Sequence, residues 1–80
     1  MRRLIDLREG SGGTDGHRLG HKLASIVGKE NMGRACSEET EGMRTRGMCF
    51  WIDTPMSDAE ITRRWPTGGR WQTPVIIWLH

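Results

Sequence analysis

Residues 54–66 of this chain, TPMSDAEITRRWP, contain the start and stop signals of a single α-helix. Ser57 and Glu60 have the spacing of a capping box, in which the serine hydroxyl accepts the N–H of the residue three positions later. Met56 and Ile61 have the spacing of a hydrophobic staple across that cap. The proline that closes the stretch disfavours helical geometry in the residue before it. The stretch therefore predicts one helix that begins at Ser57 and ends before the proline.

Two apolar runs flank this helix. Residues 48–52 (MCFWI) and residues 74–79 (PVIIWL) are each apolar on both faces and are bounded by turn residues. Short runs of this kind are typical of strands that are buried on both sides. The segment between them is long enough for a crossover helix. Residues 48–80 therefore predict a strand-helix-strand unit and are the best-specified part of the chain.

The residues before this unit carry weaker signals. Residues 3–7 (RLIDL) predict a short strand, and the apolar residues of segment 17–28 recur at helical spacing. Residues 29–35 are predicted as a loop. Residues 37–46 have a serine cap and an acidic first turn but almost no apolar face, so they are predicted as a frayed helix or a loop.

Together these elements predict a small α/β or α+β fold in the order β-α-(α)-β-α-β, with a three-stranded sheet and two helices, or three. The whole chain, residues 1–80, is expected to form one domain, because a chain of 80 residues is too short to support two cores. The hydrophobic fraction is 35%, which predicts that this core is small. Residues 1–47 are expected to be more loosely ordered than the rest.

Charge and cysteine usage indicate the compartment. The net charge is +2, with acids and bases nearly balanced, and the chain has only two cysteines. A secreted domain of this size usually has more cysteines. The basic start of the chain is followed by too few apolar residues for a signal peptide, and the longest apolar run is too short to span a membrane. We therefore expect a soluble cytoplasmic protein with reduced thiols and no membrane partner.

The composition is unusual in detail. The chain has ten arginines but two lysines, four tryptophans but no tyrosine, and only three alanines. One interpretation is a young or spurious reading frame with no selected function. The other interpretation is a small functional protein of unusual lineage with atypical residue usage.

Four side chains are candidates for a zinc site. His17 and His21 are four residues apart, so a helix places them on one face, where two imidazoles can chelate a metal ion. Cys36 and Cys49 would complete a tetrahedral set. The spacings match no zinc-finger pattern, and exposed histidines with buried thiols are the simpler interpretation. A zinc-stabilised mini-domain is therefore kept as an alternative function.

Arginine and tryptophan side chains are interleaved around the C-terminal end of the predicted helix. Arg63, Arg64, Arg70 and Trp71 can contact phosphates and stack on bases, which is the chemistry of a nucleic-acid-binding surface. A domain of that kind is usually more basic than +2. Packing of Trp65 into the core beneath a charged helix end is the simpler interpretation. Nucleic acid is therefore kept as an alternative partner.

No constellation in the sequence indicates catalysis. The glycine-rich segment 10–16 lacks the residues that phosphate-binding loops need at its end, so it is predicted as a linker. Cys49 lies in an apolar strand, where a thiol is expected to be inert. We expect a non-catalytic interaction or accessory protein without a cofactor. Its expected partner is another protein, or a second copy of itself paired along the terminal strand.

Overall fold

The structure is a computed structural model that describes residues 2–10, 16–42 and 48–78. These residues form an α+β fold with a four-stranded antiparallel sheet and two α-helices, which confirms the predicted fold class. The strands are β1 (Arg3–Asp6), β2 (Met32–Arg34), β3 (Cys49–Ile52) and β4 (Val75–Trp78), and the helices are α1 (Gly16–Val27) and α2 (Asp58–Arg64). A short 3-10 turn, Lys29–Asn31, joins α1 to β2.

The strands lie in the order β2-β3-β1-β4, and every neighbouring pair is antiparallel. Because β3 and β4 are both antiparallel to β1, they run parallel to each other with β1 between them. The predicted strand-helix-strand unit is therefore a split one, in which the chain crosses over an intervening strand. The prediction of three strands is wrong, and the observed element order is β-α-β-β-α-β.

The strand that the sequence missed is β2, within residues 29–35 that are predicted as a loop. Gly33 interrupts any apolar alternation there. The need for a residue without a side chain at this position comes from a long-range contact. A Cβ atom on Gly33 would lie 2.5 Å from the ring of Trp51, the residue opposite it on β3. The glycine therefore makes room for an indole that packs across the strand, which no local pattern reveals.

The N-terminal half of the chain, for which we expected looser order, supplies β1, one of the two interior strands of the sheet. All four residues of β1 are buried, since β1 has neighbours on both sides. Residues 37–42 form turns rather than the first part of a helix. The rest of that weakly predicted helix, residues 43–47, lies outside the described residues.

Both helices contact one face of the sheet. The buried core contains apolar side chains from the strands β1 and β3, from the segment after β1, from both helices and from the end of α2. Its buried members are Ile5, Leu7, Leu19, Leu23, Val27, Phe50, Ile52, Ile61 and Trp65. Gly20 lets α1 approach β3 closely, because a Cβ atom there would lie 3.3 Å from the ring of Phe50.

Helix α2 begins and ends as its local signals predict. The Ser57 hydroxyl accepts the N–H of Glu60 at 3.2 Å, as an N-cap residue should. Met56 packs against the core that contains buried Ile61, which fits the hydrophobic staple. Trp65, the residue before the proline, is extended at φ −75° and ψ 131°, so the helix ends at Arg64.

The two apolar runs differ in burial, although the sequence predicts both as buried. Three of the four residues of β3 are buried, whereas none of the four residues of β4 is. The physical reason is sheet order: β3 lies between β1 and β2, while among the described strands β4 has only β1 as a neighbour. The prediction of a buried final strand is therefore wrong.

A buried arginine on β1 joins this strand to α2 and β4. The Arg3 side chain is 1% exposed, and its guanidinium donates to the carbonyls of Thr54 and Met56 and, at 2.7 Å, to the Asp58 carboxylate. The same carboxylate accepts the indole N–H of Trp78 at 3.0 Å. The guanidinium carbon lies 4.8 Å from the centroid of that indole. We call Arg3, Asp58 and Trp78 the Arg3 cluster.

Replacing Arg3 with methionine is expected to lower the free energy of unfolding by about 3 kcal/mol. The apolar stem is preserved, but two half-buried backbone carbonyls and the Asp58 carboxylate lose a charged donor, and nothing in the methionine side chain replaces it. Urea unfolding of the purified variant measures this difference.

The matched control is Arg2→Met, which makes the same chemical change one residue earlier. Arg2 is exposed, and its guanidinium carbon lies 4.5 Å from the Trp51 ring centroid. We expect this control to cost less than about 1 kcal/mol, as an exposed cation–π contact does. Equal stability of the two variants would contradict the structural role of Arg3.

Candidate interaction surfaces

The exposed apolar side chains are concentrated on one strand. Among the described residues, the large hydrophobic side chains that are exposed are Val75 at 54%, Ile77 at 41% and Trp78 at 44%, and all three belong to β4. This strand is at the end of the sheet. We define the β4 edge as the outer side of residues 75–78, and it combines apolar side chains with a backbone that has one strand neighbour.

The hydrogen bonds of β1 determine which backbone groups of β4 face outward. The Leu7 N–H donates to the Met48 carbonyl at 3.1 Å, on the β3 side of β1. In an antiparallel sheet the bonding direction alternates from residue to residue. The backbone groups of Leu4 and Asp6 therefore point to the other side of β1, toward β4.

Leu4 and Asp6 pair with Ile77 and Val75, respectively, so the backbone groups of those two β4 residues bond to β1. By the same alternation, the N–H and C=O groups of Ile76 and Trp78 point away from the sheet. An incoming strand would find two donors and two acceptors there, spaced as a strand requires.

Two contacts hold the β4 edge in place. The Arg3 cluster fixes the Trp78 indole from the helix-bearing side of the sheet. Ile76, on the same side, is partly buried and packs against the core. The edge is therefore a preformed surface, which reduces the entropy lost when a partner binds.

A second surface surrounds Trp71. The guanidinium carbons of Arg70 and Arg18 lie 5.6 Å and 6.0 Å from the Trp71 ring centroid. The buried Trp65 packs edge-on against Trp71, with the ring centroids 5.4 Å apart. A groove beside this indole is lined by His17, Arg18, His21, Lys22, Ser25 and Trp71. We call it the Trp71 groove, and its lining carries cationic, aromatic and hydrogen-bonding groups.

The sequence-predicted nucleic-acid residues are divided between two environments. Arg70 and Trp71 are in contact, but Arg63 and Arg64 both bind the Glu60 carboxylate, at 2.5 Å and 2.8 Å. Hydrogen bonds from Arg63, the larger cause, and from Arg64 lower the pKa of Glu60 to about 2. Their charge is therefore partly neutralised at neutral pH.

The structure places a second basic residue, Arg18, beside Trp71. Arg18 lies on α1, far from Trp71 in sequence, and reaches its ring only in the folded chain. Its guanidinium also lies 3.7 Å from the Glu9 carboxylate. Residue spacing alone carries no signal for this contact.

The predicted zinc ligands are only partly brought together. The Nε2 atoms of His17 and His21 are 3.1 Å apart on α1. With zinc–nitrogen bonds of about 2.0–2.1 Å, that separation corresponds to a ligand angle of about 98°, so both imidazoles can bind one ion. Cys36 is exposed just before the turns of residues 37–42, and Cys49 is buried in β3.

Within residues 2–10, 16–42 and 48–78, no three histidine, cysteine, aspartate or glutamate side chains are grouped to hold a metal ion. A four-ligand site from His17, His21, Cys36 and Cys49 is therefore not assembled. A zinc-stabilised mini-domain stays a prediction.

Both thiols are poorly suited to act as nucleophiles. The Cys36 Sγ donates to the Glu39 carboxylate at 3.0 Å, and this hydrogen bond raises the pKa of Cys36. Burial is the main cause that raises the pKa of Cys49 to about 11. The thiolate is the reactive form of cysteine, and both environments disfavour it.

Comparisons of this chain with protein-family models, with curated proteins and with solved structures find no match. No helix in the described part of the chain is long and apolar enough to cross a membrane. A function must therefore be inferred from the β4 edge, the Trp71 groove and the histidine pair themselves.

Proposed function

We propose that this protein is a non-catalytic interaction module that binds an extended, uncharged segment of a protein partner along the β4 edge. The observation that carries this proposal is a coincidence of position. The exposed large apolar side chains of the described residues all lie on the one strand whose Ile76 and Trp78 backbone groups face outward.

Strand addition would use both features of this edge. The outward backbone groups of Ile76 and Trp78 would form main-chain hydrogen bonds with the partner, which supply affinity. The side chains of Val75 and Ile77 would contact the partner on the face of the sheet opposite the helices, which supplies selectivity. The added strand would bury apolar area that is now exposed to water.

The absence of charge on β4 supports an uncharged partner segment. Natural proteins commonly protect edge strands with lysine, proline or a bulge that prevents pairing with another chain. Residues 72–78 (QTPVIIW) contain no charged side chain. Only Pro74 resembles a protective residue, and it precedes the strand. An unprotected edge of this composition favours a binding role.

The proposed compartment is the cytoplasm. Cys36 and Cys49 are free thiols, and disulfides are rare in a reducing compartment. The free thiols support this location.

A synthetic peptide of alternating threonine and valine is a suitable probe of the β4 edge. Titrated into dilute ¹⁵N-labelled protein, it is expected to shift the amide resonances of Ile76 and Trp78 most, because those N–H groups would donate to the peptide. Shifts centred on other elements, with none on β4, would refute binding by strand addition.

The Ile77→Lys variant is expected to weaken peptide binding by about tenfold or more, equal to ~1.4 kcal/mol, because a charge at this position resists desolvation. Thr67→Lys is the matched control, since it adds the same charge at an exposed position outside the sheet. Dispersed amide spectra verify that both variants fold. Equal weakening by the two variants would indicate a general charge effect.

A second candidate function, binding of single-stranded nucleic acid, is favoured by the Trp71 groove. Trp71 is partly exposed, and Arg18 and Arg70 lie near its ring. An indole with adjacent guanidinium groups can stack on a base and contact the phosphates on either side of it.

In this second case, Arg70→Ala is expected to weaken binding of a fluorescein-labelled oligonucleotide and to reduce the slope of log K against log salt by about 1. Arg63→Ala is the control, because Arg63 already binds Glu60. Fluorescence anisotropy over a range of salt concentrations measures both slopes. Identical slopes for the two variants and the parent protein would exclude a phosphate contact by Arg70.

A further inference from the structure

We infer that the partner segment bound at the β4 edge is β4 of a second copy of this chain, so that two sheets join into one continuous antiparallel sheet. This inference rests on the proposed function, because it uses the same outward backbone groups. It adds the identity of the partner and the register in which the two strands pair.

A two-fold axis perpendicular to the sheet relates two antiparallel copies of β4. Such an axis keeps each face of the sheet on the same side in both molecules. The residues that lie opposite each other must therefore have the same parity along the strand, since side chains alternate between the faces. The axis consequently passes through a residue pair, either Ile76 with Ile76 or Ile77 with Ile77.

Pro74 selects between these two registers. With the axis at Ile76, Trp78 lies opposite Pro74 of the other copy, and the Trp78 carbonyl faces a residue that has no N–H. With the axis at Ile77, Ile76 lies opposite Trp78 of the other copy, and each of these pairs exchanges two hydrogen bonds. The Ile77 register therefore satisfies every outward backbone group of β4.

The side chains fit the same register. Ile77 and its counterpart occupy the pair that shares no hydrogen bonds, where opposite Cα atoms approach to about 4.5 Å. Both isoleucine side chains, each 41% exposed in the single chain, would then cover one another. On the helix-bearing face, Ile76 would lie beside Trp78 of the other copy, adjacent to the Arg3 cluster of that copy.

Charge also favours a second copy. A strand that pairs with itself brings each of its charges near an identical charge, and like charges directly opposite are destabilising. Residues 72–78 carry none, so self-pairing meets no such repulsion. The other edge strand, β2, offers only three residues, of which Gly33 has no side chain and Arg34 is charged and exposed. Self-pairing is therefore assigned to β4.

Cysteine cross-linking tests the register directly. In a Cys36→Ser background, Ile77→Cys places two thiols across the axis, within the Cα distance that a disulfide accepts. We expect mild oxidation to convert this variant to a covalent dimer on non-reducing gels.

Val75→Cys in the same background is the control. In the Ile77 register its two copies are four residues apart along the strands, or about 13 Å, which is beyond the reach of a disulfide. We expect oxidation of this variant to give no covalent dimer on non-reducing gels. Cross-linking of Val75→Cys at the rate of Ile77→Cys would overturn the register.

Sedimentation equilibrium of the unmodified protein tests the dimer itself. We expect the mass to rise from monomer toward dimer with increasing concentration, because a short strand pair buries too little surface for a permanent dimer. Ile77→Lys is expected to hold the mass at the monomer, while Thr67→Lys behaves as the parent does.

A monomeric mass at every concentration, together with no cross-linking of Ile77→Cys, would overturn the second-copy inference. The threonine–valine peptide separates that outcome from failure of the proposed function. If the peptide still shifts Ile76 and Trp78, the β4 edge binds strands from other proteins, and only the identity of the partner is wrong.

Discussion

The buried guanidinium of Arg3 is the interaction on which the arrangement of the fold depends. A buried charge is costly unless it is paired and hydrogen-bonded. Arg3 has three acceptors close by: the carbonyls of Thr54 and Met56 and the carboxylate of Asp58. Those acceptors lie just before α2 and at its first residue, so pairing the charge requires β1 and the start of α2 to meet. The Trp78 indole over the guanidinium brings β4 to the same place.

The same chemistry recurs outside the Arg3 cluster and relates the unusual composition to the structure. Arg2 lies over Trp51, and Arg18 and Arg70 lie near Trp71. A guanidinium is planar and weakly hydrated, so it covers an indole face better than lysine does. A small chain with a limited apolar core gains stability when its partly exposed tryptophans are covered in this way.

The sequence predictions are correct where the deciding interactions are local along the chain, and they fail where residues distant in sequence decide the structure. Helix α2 is predicted correctly because its signals, from Ser57 to the proline, act within a few residues. Strand β2 is missed because Gly33 is explained only by Trp51, which is distant in sequence. The burial of β4 is mispredicted because its apolar run resembles that of β3. Both strands pair with β1, but β3 is interior because β2 pairs with its other side, whereas β4 is at the end of the sheet.

The candidate surfaces show the same limit. The spacing of His17 and His21 on one helix correctly predicts that they are neighbours. Spacing cannot predict how far Cys36, in a loop, and Cys49, in a strand, lie from that pair. Sequence proximity groups Arg63 with Arg70, but Arg63 forms a salt bridge with Glu60. The outward direction of the β4 amides depends on pairing with β1, so no linear pattern encodes it.

The central claim is that alternate amides of β4 point away from the sheet and can donate to a partner strand. Amide hydrogen exchange on β4 tests this claim. In dilute protein, the amides of Ile76 and Trp78 are expected to exchange much faster than those of Val75 and Ile77, which donate to β1. At high concentration, Ile76 and Trp78 are expected to become protected as a second copy pairs with them. Equal protection of all four amides in dilute protein would contradict the free edge, and unchanged exchange at high concentration would contradict self-pairing.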